Sequence, residues 1–138
     1  MHSQSIDLQA ADGQHLPPWV ATPEGTPRGA IVVLQEIFGV NPHIRAVTER
    51  FAARGYLAVA PALFTRVQPL VELGYSAEDM QAGMALKAAV EQLPGAGVLP
   101  DIQAAIDYAQ ERSGTKVVAV GFCWGGLLAW RAACTLQG

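Results

Sequence analysis

Three short runs of the chain, Ala30 to Gln35, Tyr56 to Ala60 and Lys116 to Val120, are apolar almost without interruption. Continuous rather than alternating apolarity is what a strand covered on both faces requires, so these runs predict a parallel sheet with helices on its two sides. Between them the spacing lengthens. Ile44, Val47 and Phe51 recur at i, i+3, i+7, and Ile102, Ala105, Ile106 and Ala109 at i, i+3, i+4, i+7, the period of a helix with one buried stripe. Asn41-Pro42 combines an N-cap residue with proline at the first helical position and predicts a helix from about Pro42 to Arg54. Ser76-Ala77-Glu78-Asp79 resembles a capping box that opens a helix toward Leu93, and Ser113-Gly114 closes the helix that starts near Pro100. Ala62 to Tyr75 reads as a loop. Ahead of the first buried run, Ser5 to Thr22 alternate loosely around the turn signal Asp12-Gly13. That predicts a small β-hairpin with Ile6 and Leu8 on its inner face, its second arm made an edge by Pro17-Pro18. Strand and helix alternate without a repeat or internal boundary, so the expectation is a single α/β domain over residues 1–138 with a mainly parallel sheet.

Composition narrows the function classes. Half the residues (51%) are apolar and 15% are charged, enough to bury a core and unlike a disordered segment. A net charge of −3 gives no electrostatic footprint for nucleic acid or an anionic membrane surface. The polar start from Met1 to Gly13 lacks the basic and apolar regions of a signal peptide, no apolar run is long enough to span a bilayer, and the two cysteines make no disulfide framework. A reducing cytoplasm is therefore the expected compartment, and no metal site is expected.

Chemistry concentrates after the third buried run, in Gly121-Phe122-Cys123-Trp124-Gly125-Gly126, which leads into the apolar, helix-permissive stretch Leu127 to Thr135. This is G-x-C-x-G between a strand and a helix. A nucleophile on such a sharp turn sits in a strained backbone conformation, and small residues two before and two after it let strand and helix approach closely. The helix beginning beside it offers backbone N–H groups and a positive dipole end, which favour a thiolate and an oxyanion. The other reading of a bare G-x-C-x-G is a buried cysteine in a tight turn. The buried strand before Cys123, the helix after it and the tandem glycines favour the nucleophile.

Together with Gln35-Glu36-Ile37-Phe38-Gly39-Val40-Asn41, this turn closely resembles the dienelactone hydrolase family of the α/β-hydrolase fold, with both motifs in the family's order and on matching elements. The resemblance implies an α/β-hydrolase fold and a cysteine hydrolase needing no cofactor. Cys123 would attack the carbonyl of a small-molecule lactone or ester to give a thioester. Glu36 would contact the resting thiol and take part in its activation. Backbone N–H groups of Ile37 and Trp124 would form the oxyanion hole, with Gly121, Gly125 and Gly126 as elbow glycines. Trp124 would wall an apolar pocket or pack on the sheet edge.

The sequence also departs from that pattern. The fold supplies its acid and histidine after the nucleophile, yet no Asp, Glu or His follows Cys123, and His2, His15 and His43 all precede it. His43 is the one conceivable stand-in base, though a helix-start histidine packed on the loop or facing solvent is the commoner case. The resemblance also implies a carboxylate-binding arginine in the region after Tyr75, and none occurs between Arg66 and Arg112, which puts dienelactone itself in doubt as substrate. Arg66 either reaches the pocket mouth or is an exposed loop residue. Cys134 is expected in the core. The strand Lys116 to Val120 would lack an outer neighbour and stand as an open edge prone to self-association. The sequence thus leads to the expectation of the first part of a longer hydrolase with its C-terminal part missing. The competing expectations are an inactive fragment or interaction module with an open sheet edge, and a redox-responsive thiol.

Overall fold

The computed structural model describes residues 1–138. In chain order its elements are β1 (His2–Ser5), β2 (Leu8–Gln9), β3 (His15–Leu16), β4 (Trp19–Thr22), β5 (Gly29–Leu34), α1 (Pro42–Ala53), β6 (Tyr56–Ala60), α2 (Ala77–Glu91), α3 (Leu99–Ser113), β7 (Val117–Gly121) and α4 (Trp124–Thr135). The three continuous apolar runs become β5, β6 and β7, joined in parallel, with β5 in the middle. Both faces of β5 are covered. Ala30, Val32 and Leu34 point into a core shared with α3 and α4, and Ile31 and Val33 point into a smaller one under α1. Each such fully buried Val or Leu side chain contributes roughly 1.5–3 kcal/mol, which is why alternation is absent here.

The five-stranded sheet runs β1-β4-β6-β5-β7, with β4 antiparallel to both β1 and β6. The expected hairpin exists, but in two tiers: β1 pairs with β4, and β2 with β3 beyond a break. Ile6 packs against the main core and Leu16 is fully buried. The second arm is not an edge as the prolines suggested. Pro17 and Pro18 lie in the break before β4, outside its ladder, so β4 keeps every donor it needs and is paired on both sides.

Caps set the helix ends. The Asn41 side chain accepts from the Ile44 N–H at the start of α1, and Ser76 accepts from the Asp79 N–H at the start of α2. The reciprocal bond of a capping box is redirected, because the Asp79 carboxylate accepts from the Gly74 N–H and fastens the preceding loop. Gly114, in the left-handed conformation at φ 69°, ends α3.

At the far side of the sheet β7 pairs only with β5, and Val118 is 59% exposed. Helix α4 buries Trp124, Leu128 and Ala132, while Leu127 and Trp130 on its other face are exposed. Cys134, expected in the core, is exposed as well. It lies two residues beyond Ala132, turned by more than half a circle from the buried stripe.

Arg66 is neither an exposed loop residue nor a pocket-mouth residue. Its guanidinium is largely buried and forks between two carboxylates, Asp12 at the hairpin tip (2.7 and 2.9 Å) and Asp101 in the first turn of α3 (2.8 and 2.9 Å). The hydrogen bonds from Arg66 hold the Asp12 carboxyl down at about 2, whereas burial pushes Asp101 up. Removing Arg66 leaves Asp101 buried without a partner. Arg66→Met is expected to lose about 3 kcal/mol of unfolding free energy at pH 7 by urea denaturation. Because the Asp12 carboxyl is lowered, its pairing stabilises the protein above the unfolded-state value near 4 and is lost as pH falls through about 2. The variant should lack that part of the acid-side loss.

Candidate active site

Strand β7 ends on Gly121, and two residues later Cys123 forms the N-cap of α4 with φ 57° and ψ −116°. A non-glycine residue there costs roughly 1–3 kcal/mol and persists only where its surroundings impose it. The surroundings are visible. The N–H groups of Gly125 and Gly126 donate to the carbonyls of Phe122 and Cys123, both at 2.9 Å, closing the turn, and the Phe122 N–H donates to Leu34 O at 3.2 Å, tying the turn to the end of β5. The result is an exposed free thiol at the carboxyl edge of the sheet, beside a helix N-terminus.

Two of the three elbow glycines are sterically required. A Cβ on Gly121 would collide with the Gly125 backbone, and one on Gly125 would collide with the carbonyls of Leu34 and Gln35. Gly126 differs, since the nearest atom to a Cβ there is Gly121 O at an ordinary 3.7 Å. Trp124 is 5% exposed and stacks on Phe64 with centroids 5.3 Å apart and planes 14° apart, so it belongs to the core rather than to a pocket wall. Its N–H, at the first helical position, has no intrahelical acceptor.

The loop after β5 carries the second motif. Gln35, fully buried, accepts from the Leu63 N–H at 2.8 Å and donates to the Glu36 carbonyl at 3.1 Å, fixing the loop against the exit of β6. The Ile37 N–H donates to no protein acceptor. Opposite it, α2 comes so close at Gly83 that any side chain there would strike the Ile37 carbonyl. The Gly125 contact with Gln35 and the Phe122 bond to Leu34 thus bring the Cys123 turn and the Glu36-Ile37 loop to one end of β5.

Glu36 makes no hydrogen bond with the Cys123 thiol. Its half-buried carboxylate accepts instead from the Tyr75 hydroxyl at 2.7 Å, and that hydroxyl in turn accepts from Asn41 Nδ2 at 3.3 Å. Burial, reinforced by the Glu36 carboxylate, holds the Tyr75 phenol above its ordinary value. Tyr75 is placed by a short zipper between loops: Leu73 N–H donates to Phe38 O at 2.8 Å, Gly39 bridges Glu72, and the Phe38 and Tyr75 rings meet edge-on at 4.6 Å. The sequence carries no periodic signal for this residue. His43 lies edge-on between Tyr75 (6.4 Å) and Phe122 (6.5 Å) without a hydrogen bond, a loop-packing position. His2 lies in β1, and His15 pairs with Asp7 at 3.1 Å in the hairpin. Two roomy hollows, about 770 Å³ at the amino ends of the parallel strands and about 550 Å³ beside α3, are lined by none of these residues.

The chain matches the model of the dienelactone hydrolase family over residues 16–137. It is 46% identical over 106 residues to a Synechocystis sp. protein described as a candidate carboxymethylenebutenolidase, covering 75% of this chain and 42% of that one. It is 36% identical to the carboxymethylenebutenolidase of Pseudomonas putida, covering 96% of this chain and 56% of that one. A crystal structure of a candidate dienelactone hydrolase from Klebsiella pneumoniae superimposes with a TM-score of 0.66 at 30% identity, over 91% of this chain and 52% of that one. The chain spans about half the length of the curated relatives it matches.

The elbow sterics separate two neighbouring glycines. Gly125→Ala is expected to destabilise by about 3 kcal/mol or more, as an overpacked backbone contact with no slack. Gly126→Ala, inside the first turn of α4, should stabilise by about 0.5–1 kcal/mol. Thermal unfolding of the two variants checks the contrast.

Proposed function

Because the chain belongs to the dienelactone hydrolase family, we propose that it carries the nucleophilic half of a hydrolase that cleaves lactones or carboxylic esters through a thioester on Cys123. The observation that carries this reading is the conformation of Cys123: a positive-φ N-cap with an exposed thiol, in a turn where Gly121 and Gly125 leave no room for side chains. That arrangement costs folding energy and aims a sulfur outward over a helix N-terminus, which suits nucleophilic catalysis and no packing role.

In the proposed reaction Glu36 draws the proton from the Cys123 thiol as substrate binds. The sulfur attacks the carbonyl carbon, and the carbonyl oxygen becomes an oxyanion held by the N–H groups of Ile37 and Trp124. Collapse breaks the bond to the leaving oxygen, which takes the proton that Glu36 drew from the thiol, and leaves an acyl thioester and the Glu36 carboxylate. In a lactone the leaving alcohol remains tethered to the acyl group. Water must then attack the thioester with help from a base. No Asp, Glu or His follows Cys123 in these 138 residues, which span about half the length of the curated relatives, so we assign to them the chemistry as far as the thioester. Two free thiols suit a reducing compartment, and we assign the protein to the cytoplasm. No helix is long and apolar enough to cross a membrane.

A second reading is favoured by β7: it has one strand partner, and beyond the Val117 N–H that donates to Gly138 O at 3.1 Å its outer edge and the exposed Val118 suit strand addition from another chain, in which case the domain is an interaction module rather than a catalyst.

Alkylation mapped by mass spectrometry on the folded protein separates the two. As the activated elbow thiol, Cys123 should react with iodoacetamide at least tenfold faster than Cys134 at pH 7. Both sulfurs are exposed, so equal or reversed rates would remove the nucleophile assignment.

A further inference from the structure

The Glu36 carboxylate has a partner that the proposed chemistry does not use. Tyr75 reaches it from the loop before α2, across 39 positions of sequence, and its hydroxyl donates at 2.7 Å. That contact is built rather than incidental. The Tyr75 ring is braced edge-on by Phe38, the hydroxyl also takes the Asn41 amide, and Asn41 is 1% exposed and doubly committed, capping α1 through its oxygen and holding Leu73 O through its nitrogen at 3.0 Å. The start of α1, the loop after β5 and the loop before α2 therefore converge on one carboxylate oxygen.

We propose that Tyr75 is a positioning residue that governs the reactivity of Cys123 by holding the Glu36 carboxylate and dispersing its negative charge. The inference rests on the reading of Cys123 as nucleophile. A carboxylate beside a thiol opposes thiolate formation through like-charge repulsion and by accepting the S–H hydrogen. A phenol that donates to that carboxylate draws off part of its charge and occupies the oxygen that would otherwise turn toward the sulfur. Tyr75 as a whole is 55% exposed, but partial burial of its hydroxyl and the Glu36 carboxylate favour the neutral phenol, against the opposing hydrogen bond from Asn41. It therefore restrains Glu36 without neutralising it. The other titratable groups around this end of β5 are His43 in α1, Glu72 and its partner Arg45, and Asp79 at the start of α2. Asp79 is occupied by Gly74 and Glu72 by Arg45.

The test is the pH–rate profile of Cys123 alkylation by iodoacetamide in the full chain, for the parent, Tyr75→Phe, Glu36→Gln and the double variant. Tyr75→Phe keeps the ring and its contact with Phe38 and removes only the hydroxyl. It should move the midpoint of the profile about half a unit to higher pH, slowing alkylation near pH 7 about threefold, with the high-pH plateau unchanged. Glu36→Gln should move the midpoint the other way. In the Glu36→Gln background Tyr75→Phe should have no effect, because the charge it modulates is gone. A purely structural role would change the plateau or the melting temperature and not the midpoint. Three results overturn the inference while leaving Cys123 as nucleophile: no midpoint change in Tyr75→Phe, a change in the opposite direction, or the same change with and without Glu36. A Cys123 no more reactive than Cys134 overturns the underlying reading instead.

Discussion

The approach of the Cys123 turn to the carboxyl end of β5 is the contact on which the rest of the site depends. Gly125 lies against the carbonyls of Leu34 and Gln35 without room for one methyl group, and the Phe122 N–H closes the same junction by donating to Leu34. That seating holds Cys123 in a conformation a free peptide avoids, and sets the start of α4 beside the loop that carries Glu36 and Ile37. Strand β5 can serve as the anvil because its alternate residues are buried in two cores, one under α1 and the other under α3 and α4. The strain at the turn is offset by packing distributed over the whole sheet.

A second layer of restraint comes from polar groups that join segments far apart in sequence. Gln35 links the end of β5 to the exit of β6, and Arg66 ties the hairpin tip to the first turn of α3. Arg66 also follows Phe64 by two residues, and Phe64 stacks on Trp124, the residue after Cys123. The stiffness of the Cys123 turn is therefore supported from one side by β5 and from the other by a loop that a buried ion pair fixes. The opposite flank is less covered: β7 has one strand partner, with the tail touching it at Val117, and α4 exposes Leu127 and Trp130.

Much of this was legible in the sequence where local rules decide the outcome. Buried strands appear as unbroken apolar runs, Asn41-Pro42 and Ser76 announce helix starts, and Gly121 and Gly125 flank Cys123 at the spacing that an elbow requires. The misreadings came where distant segments decide. Pro17-Pro18 suggested an edge, but they sit in a break between the two tiers of the hairpin. Cys134 was expected in the core, yet the buried stripe of α4 passes it by. Gly126 completes the motif in sequence and is not needed by the packing. Arg66 and Tyr75 carried no signal, because an ion pair or hydrogen bond spanning tens of residues leaves no periodicity.

The central claim is that Cys123 is an acyl-accepting nucleophile served by the backbone N–H groups beside it. Intact-protein and peptide mass spectrometry after exposure to p-nitrophenyl acetate tests it most directly. With no Asp, Glu or His after Cys123, the account predicts that these 138 residues release one equivalent of p-nitrophenol and retain one acetyl group, mapped to Cys123 and removed by hydroxylamine. Acetylation spread over lysines or shared with Cys134, with no stoichiometric burst, would contradict the account.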